Sequence, residues 1–435
     1  MIVRPISLVR IRSFFLVLSL IVLSVGTGFW YGRRSITTDF SKLPPKVEII
    51  NRAQPPEHRT VDFSLFWQVW DELAGSYITP DSLDPEKMVF GAISGMTSAI
   101  GDPYTVFLPP MENKQTKENL SGKFGGVGIQ LGFRDRALSV VAPLSGMPAE
   151  RAGIKAGDFI LHIKDEGAGV DKDTQGMPLP EAVNLIRGKL GTKVLLTLIR
   201  EGQTKPFDVE LVREEIVIPS IELTWLPPDE AARKLVTKET EIPVGEKVVA
   251  HLAVAQFGDQ TDGEWDRAVS DILDRESDVV GIVLDFRNNP GGYLSGAIRM
   301  ASEFLSEGTV VVQQGRVRSE TFPVEEPGRL TDLPFVVLVN GGSASASEIV
   351  AGALRDRRGA VLVGEKTFGK GTVQEARDLP GGAGLHVTTS KWILPSGEAI
   401  NAKGLTPNIE VTLTEEENGI DEQLEKAIET LLKQQ

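Results

Sequence analysis

Cysteine is absent from all 435 residues. That removes disulfides, thiolate metal sites and cysteine nucleophiles from consideration. The absence suits an oxidising compartment, where a stray thiol is a liability. Histidine is nearly as scarce. His58, His162, His251 and His386 are scattered, without the His-Glu-x-x-His spacing of a zinc hydrolase, and no metal or other cofactor is expected. Positive charge is also in deficit. A net charge of −14, with no long basic run between residues 40 and 435, argues against a nucleic-acid partner, because such a surface repels polyphosphate. What remains is ordinary for a globular protein: 41% hydrophobic, 24% charged, with 44 glycines. The length exceeds one compact core and predicts two or three domains.

There is one long hydrophobic run. Residues 13–32 carry no charge and are mostly Leu, Val, Ile and Phe, about the 20 residues a helix needs to cross a bilayer. Arg4, Arg10 and Arg12 precede it, and Trp30 and Tyr31 lie at its far end, where amphipathic rings favour the lipid–water boundary. A cleaved signal peptide is the alternative. No small-x-small cleavage site follows, so the reading is a retained single-pass anchor. Residues 1–12 would then be cytoplasmic and the remainder extracytoplasmic, periplasmic or extracellular. Arg33 and Arg34 beyond the run leave little charge asymmetry to set orientation.

Residues 33–60, with Pro44-Pro45 and Pro55-Pro56, read as an extended linker. Helical spacing at 63–77 (Phe63, Phe66, Trp67, Trp70, Leu73) and again at 85–100 predicts a small helical domain over 61–115. Residues 116–213 read as a β-rich module, with strands at 138–142, 159–163 and 193–200 and a short helix at 181–187. From 214 to 435 apolar runs at 248–254, 279–286, 335–339 and 360–363 alternate with helical segments at 263–275, 294–305 and 347–355. That alternation argues for an α/β core. An Asp421-capped amphipathic helix closes the chain.

Three segments of this core follow buried strands, where α/β folds carry functional loops. Asp285-Phe286-Arg287-Asn288-Asn289-Pro290-Gly291-Gly292 can aim backbone amides at one point, and reads equally as a tight turn. Gly342-Ser343-Ala344-Ser345-Ala346-Ser347-Glu348 presents serine hydroxyls between a strand and a helix. It also matches a capping box headed by Ser345, and it lacks the glycines of a Gly-x-Ser-x-Gly elbow. Gly364-Glu365-Lys366-Thr367-Phe368-Gly369-Lys370-Gly371 nearly spells a phosphate loop. Gly371 stands where the Mg²⁺-binding hydroxyl belongs, and Thr372 and Val373 favour a strand over a helix, so nucleotide binding is not expected. With cysteine absent and histidine scattered, lysine is the remaining candidate base for a serine. Burial would bring its pKa down from about 10.4. Lys370 between two glycines allows close backbone approach, and Gln374 lies four residues on.

Taken together, Asn-Asn-Pro-Gly-Gly, Ser-Ala-Ser-Ala-Ser-Glu-Ile and Phe-Gly-Lys-Gly-x-Val-Gln resemble, in order and spacing, the carboxyl-terminal processing peptidases, or tail-specific proteases. The resemblance covers nearly the whole chain past residue 60. It implies an α/β serine protease core with an inserted PDZ domain and a small helical N-terminal domain. Ser345 is implied as nucleophile, Lys370 as base and Gln374 as its support, with Gly291 (Gly292 beside it) and Ala346 as oxyanion donors. In the PDZ module Gly125, Gly126, Val127, Gly128 and Ile129 would hold the carboxylate of a substrate's C-terminus, with the 181–187 helix as the other wall. The implied activity is endopeptidase cleavage near the C-terminus of protein substrates, with self-association left open. The alternative is an inactive, membrane-anchored PDZ scaffold.

Overall fold

The computed structural model describes residues 23–25, 36–39, 46–49, 62–134, 137–144, 146–200, 202–229, 233, 242–412 and 421–434. All but residues 23–25 of the expected membrane anchor therefore lie outside the described residues. Among the described residues no helix is long and apolar enough to cross a membrane. The chain divides into two units, 1–88 and 89–435.

In the first unit β1 (Ile36–Asp39) pairs antiparallel with β2 (Lys46–Ile49). Helix α1 (Ser64–Ser76) carries Phe66, Trp67 and Trp70, whose rings meet one another, yet it buries no residue. Helix α2 (Pro85–Ser98) spans the division.

The second unit begins with β3 (Val106–Leu108) and α3 (Pro110–Ser121). The domain boundary expected at 115/116 falls inside α3, and β3 pairs with a strand of the C-terminal half. These residues thus belong to the core rather than to a separate helical domain. Three-residue strands leave no period for sequence to reveal.

The β-rich module expected to be a PDZ domain follows. Strand β4 (Lys123–Gly126) leads in, then β5 (Ile129–Arg134), β6 (Ala137–Pro143), β7 (Phe159–Asp165), β8 (Val170–Asp173), α4 (Leu179–Ile186), β9 (Lys193–Ile199) and β10 (Phe207–Val212). Strand β11 (Glu214–Val217) leads out and pairs with β4, Gly126 opposite Glu214. The sheet order is β10-β9-β7-β6-β5, with β8 on β7. Alternate residues of β9, Val194, Leu196 and Leu198, point into a core shared with Val127, Val140 and Ile163, the period-2 pattern of a half-covered sheet.

Arg213 is among the charges this module buries, with Asp158 and Asp165. Arg213 donates to Asp165 at 2.7 Å and to the carbonyls of Ile186, Leu185 and Lys193 at 2.8, 3.0 and 3.2 Å. Removing one partner of a buried ion pair strands the other charge, so Arg213→Met should destabilise the protein by about 3–5 kcal/mol. Thermal melting with a peptide-binding assay on the module would test this. A melt unchanged from wild type would show that the pair does not hold the module together.

The C-terminal half has β12 (Ile221–Leu226), β13 (Val248–Val254), α5 (Thr261–Asp274), β14 (Val279–Asp285), α6 (Leu294–Glu303), β15 (Thr309–Gly315), β16 (Ser319–Pro323), β17 (Phe335–Val339), α7 (Ala346–Arg358), β18 (Val361–Gly364), β19 (Thr372–Asp378), β20 (Gly384–Ile393), β21 (Ile409–Glu410) and α8 (Glu422–Leu432). One sheet runs β12-β13-β14-β17-β18-β21, parallel from β13 onward. All five residues of β17 are buried, as expected for a parallel strand covered on both faces. On one face α5, α6 and α7 pack through Trp265, Ala297 and Val350. On the other α8 packs Ile428 and Leu431 against Val283 and Val336. A second sheet runs β16-β15-β20-β19, with β3 also on β20. Strands β14, β17 and β18 all end at the same edge of the first sheet, and there the three candidate segments meet.

Candidate active site

The turn after β14 is pinned at its root. Arg287 holds Asp285 at 2.6 Å and Asp421 at 2.8 Å, and His251 Nε2 is 3.1 Å from Asp285. Burial alone would raise the Asp285 carboxyl, but the bonds from His251 and Arg287 bring it down to about 2. Beyond it Asn288 takes a left-handed φ of 58°. Its N–H donates to Asn340 Oδ1 at 2.8 Å, and Asn340 Nδ2 returns a bond at 3.0 Å. Asn289 is wholly buried: its carbonyl accepts from Ala344 N–H at 2.9 Å and from the Ser347 hydroxyl at 3.1 Å. The turns after β14 and β17 are thereby stitched together.

Ser345 heads α7 as its N-cap, and the capping box read from the sequence is present. Its φ of 58° and ψ of −114° are unusual for a residue with a side chain, and such strain persists only where the surroundings impose it. A Cβ on Gly291 would lie 2.7 Å from that of Ser345, so only glycine fits beside the serine. Ser345 is half-buried. Ala346 N–H, the first amide of the helix, is buried and makes no hydrogen bond among the described residues. An unsatisfied buried amide at a helix start is suited to a developing negative charge.

The Gly291 amide differs from the expectation. It donates to Asn289 Oδ1 at 2.8 Å, while Asn289 Nδ2 is tied to the Val254 carbonyl at 2.8 Å. Gly291 N–H is therefore not a free oxyanion donor in this structure. The Gly291 carbonyl accepts from Phe257 N–H at 2.9 Å. A trans peptide then turns Gly292 N–H the opposite way, and that amide is unpaired among the described residues.

Lys370 and Ser345 are joined through Glu348. This buried carboxylate accepts from Ser345 N–H at 2.9 Å, Lys370 N–H at 3.0 Å, Gly369 N–H at 2.8 Å and the Thr367 hydroxyl at 2.5 Å. Burial pushes its pKa up, and the four donors oppose that shift. The glycines flanking Lys370 admit a neighbouring loop: a Cβ at Gly371 would lie 2.0 Å from Asn401 N, and one at Gly369 2.8 Å from Gly404 N. Burial lowers the pKa of the Lys370 amine, and no carboxylate pairs with it among the described residues. The amine lies 5.3 Å from the centre of the Tyr104 ring.

Gln374 gives its amide nitrogen to the hydroxyls of Thr372 and Thr388, at 2.8 and 3.2 Å, and makes no bond to the Lys370 amine. Sequence reading missed the turn 102–105. Tyr104 faces the lysine, and the Thr105 hydroxyl donates to Asp102 at 2.6 Å and accepts Thr388 N–H at 3.1 Å. The only local signal is Gly101-Asp102-Pro103, a sequence that ends a helix.

In the PDZ module Gly125 and Gly126 lie in the β4–β11 ribbon, with the Gly125 carbonyl accepting from Gly188 N–H at 3.0 Å. Val127 is buried, Gly128 turns the chain at φ 71°, and Ile129 opens β5. Beside them a largely apolar groove of about 410 Å³ runs between β5 and α4, lined by Ile129, Leu144, Val183 and Ile186. Arg187 also lines it, its guanidinium 3.7 Å from the centre of the Phe124 ring.

Comparison with known proteins places both halves. Residues 248–411 match peptidase family S41, and residues 139–200 match the PDZ domain. The carboxy-terminal-processing protease of Bartonella bacilliformis is 36% identical, over 82% of this chain and 77% of that protein. The carboxy-terminal processing protease CtpA of Bacillus subtilis is 35% identical, over 76% of this chain and 65% of its own length. A solved Bacteroides fragilis structure provisionally called an S41 protease superposes with a TM-score of 0.51 at 16% identity, over 85% of this chain and 97% of that one. That likeness bears on the fold alone.

Proposed function

The chain belongs to peptidase family S41, a serine-type peptidase with a PDZ domain, and from that premise we propose a Ser–Lys endopeptidase that trims protein C-termini. Ser345 Oγ attacks the scissile carbonyl carbon while its proton passes to neutral Lys370 Nζ. The carbonyl electrons move onto oxygen, which Ala346 N–H and the free amide of the Gly291–Gly292 turn receive. As the tetrahedral centre collapses, Lys370 returns the proton to the leaving amine and an ester to Ser345 remains. Water then attacks the ester with Lys370 taking its proton, Lys370 passes that proton to Ser345 Oγ as the ester bond breaks, and the shortened chain leaves with a new carboxylate. Gln374, its nitrogen engaged by two hydroxyls, has its carbonyl oxygen left to steady the ammonium. The PDZ groove captures the substrate's tail as an added strand, and its apolar lining favours an apolar last residue. The 13–32 run anchors the enzyme, with the catalytic unit on the extracytoplasmic side.

One observation carries this reading: a single carboxylate, Glu348, holds the amides of Ser345 and Lys370 beside a free Ala346 N–H. The test is a full-length incubation with a folded protein ending in a flexible apolar tail, followed by mass spectrometry. The tail should be removed, and a peptide with a free apolar C-terminus should compete better than its amidated form. Because Lys370 works as the free amine and burial lowers its pKa, the rate should climb with pH through a transition below the ordinary lysine range of about 10.4. A tail that stays intact between about pH 6 and 10 while the peptide still binds would establish the other reading, an inactive scaffold. The engaged Gly291 amide is the observation that favours it.

A further inference from the structure

Strand β20 has a stretch of edge that no strand covers. One side pairs with β19 from Gly384 to Lys391. On the other, Gly384–His386 pair with β3 and Ser390–Ile393 with β15. Residues 387–389 between them have no partner strand on that edge, and there Thr388 N–H is taken by the Thr105 hydroxyl. A cleft of about 490 Å³ lies at this gap, between the β15–β16 turn and residues 388–391.

The lining is cationic and rich in hydroxyls. Arg316, Arg318 and Lys391 face it with Ser319, Thr388 and Ser390, and no acidic residue does. Among the described residues none of the three cations enters an ion pair, although the chain as a whole carries −14. The cleft also adjoins the candidate site. Gln374 pairs with Thr388 and Thr372 with Lys391 across the sheet, and the Gln374 amide donates to the Thr388 hydroxyl.

We propose that this cleft is a substrate subsite for an acidic side chain, a Glu or Asp on the extended segment of polypeptide being cut. The proposal rests on the peptidase reading. An extended segment passing over the cleft sets its side chains between the hairpin turn and the threonine-rich strand. Two guanidinium groups and an ammonium there match a carboxylate in charge and donor geometry. The neighbouring hydroxyls supply further donors.

The test uses the full chain and two tailed test proteins, identical except that a block of Glu upstream of the apolar C-terminus is Gln in the second. Exposed charge pairs are each worth little, so wild type should cleave the Glu tail with kcat/KM only about fivefold higher. The difference should sit mainly in KM and fade in high salt. The double variant Arg316→Glu, Arg318→Glu, placed at an exposed turn, should reverse the preference. Equal cleavage of both tails by wild type, or equal losses on both in the variant, would overturn the proposal. Inorganic phosphate at matched ionic strength separates the sources of anion. If it inhibits the Glu tail selectively, the cleft reads the substrate's carboxylate. If it inhibits both tails alike, the cleft is a general anion site and the proposal fails. Ser345-dependent cleavage of the Gln tail keeps the peptidase reading intact under either outcome.

Discussion

Replacing Ser345 with alanine should lower cleavage of a tailed protein by at least about 10³-fold, because nothing else in the site supplies a nucleophile. Lys370→Arg should cost about as much. Arginine keeps the positive charge and the length, but it stays protonated and cannot take the serine's proton. Both variants should still bind a C-terminal peptide, since the groove lies on another module. Activity retained by Lys370→Arg would overturn the base assignment, whatever Ser345→Ala does. Ser347→Ala supplies the contrast. Its hydroxyl is buried against the carbonyls of Asn289 and Ala344 at 3.1 and 2.8 Å, so it braces the turn rather than attacking. Losing that brace should cost about 1–2 kcal/mol of stability and leave measurable cleavage.

Glu348→Gln should come close to these losses by a different route. Each carboxylate oxygen accepts two hydrogen bonds, one pair from Thr367 and Gly369 and the other from Ser345 and Lys370. An amide of the same shape must turn its NH₂ toward one of those pairs, setting donors against donors. With charge-assisted bonds lost and buried donors left unpaired, the penalty is about 3 kcal/mol or more. Melting should fall by about 5–10 °C, and cleavage by about 10²-fold as Ser345 and Lys370 lose their common tether. Peptide binding at the groove should be untouched. Wild-type melting and turnover in this variant would mean that the two segments are held by something else.

Much of this site was legible because its pieces are local. A buried strand, a small-residue turn and a helix start are read from neighbouring residues, as at 335–349, and so is a lysine between glycines. Glu348 was legible only as a capping partner. That it also gathers Thr367, Gly369 and Lys370 depends on β17 and β18 lying side by side, which no local pattern states. Asn289 was hidden for the same reason: its side-chain oxygen accepts from Gly291 N–H only two residues away, but its side-chain nitrogen donates to the Val254 carbonyl. Strand β20 escaped notice because its middle, His386 to Ser390, is largely polar and half-buried, with no apolar run and no clear alternation. The 102–105 turn looked like the end of a helix, and its meaning comes from Thr388 and Lys370, far along the chain.

The β4–β11 ribbon carries a consequence of another kind. Entry and exit of the PDZ module lie side by side, Gly126 opposite Glu214, and the module has its own apolar core. A segment joined this way resembles a cassette. Its length barely affects the entropy of closing the loop, and its replacement need not disturb the strands that lead to Ser345 and Lys370. Choice of target and bond-breaking chemistry can then diverge separately. On the proposed reading, a graft that keeps Ile216–Pro219, which line the groove from the ribbon side, should redirect cleavage to new tails while leaving the Ser345 and Lys370 segments as inherited.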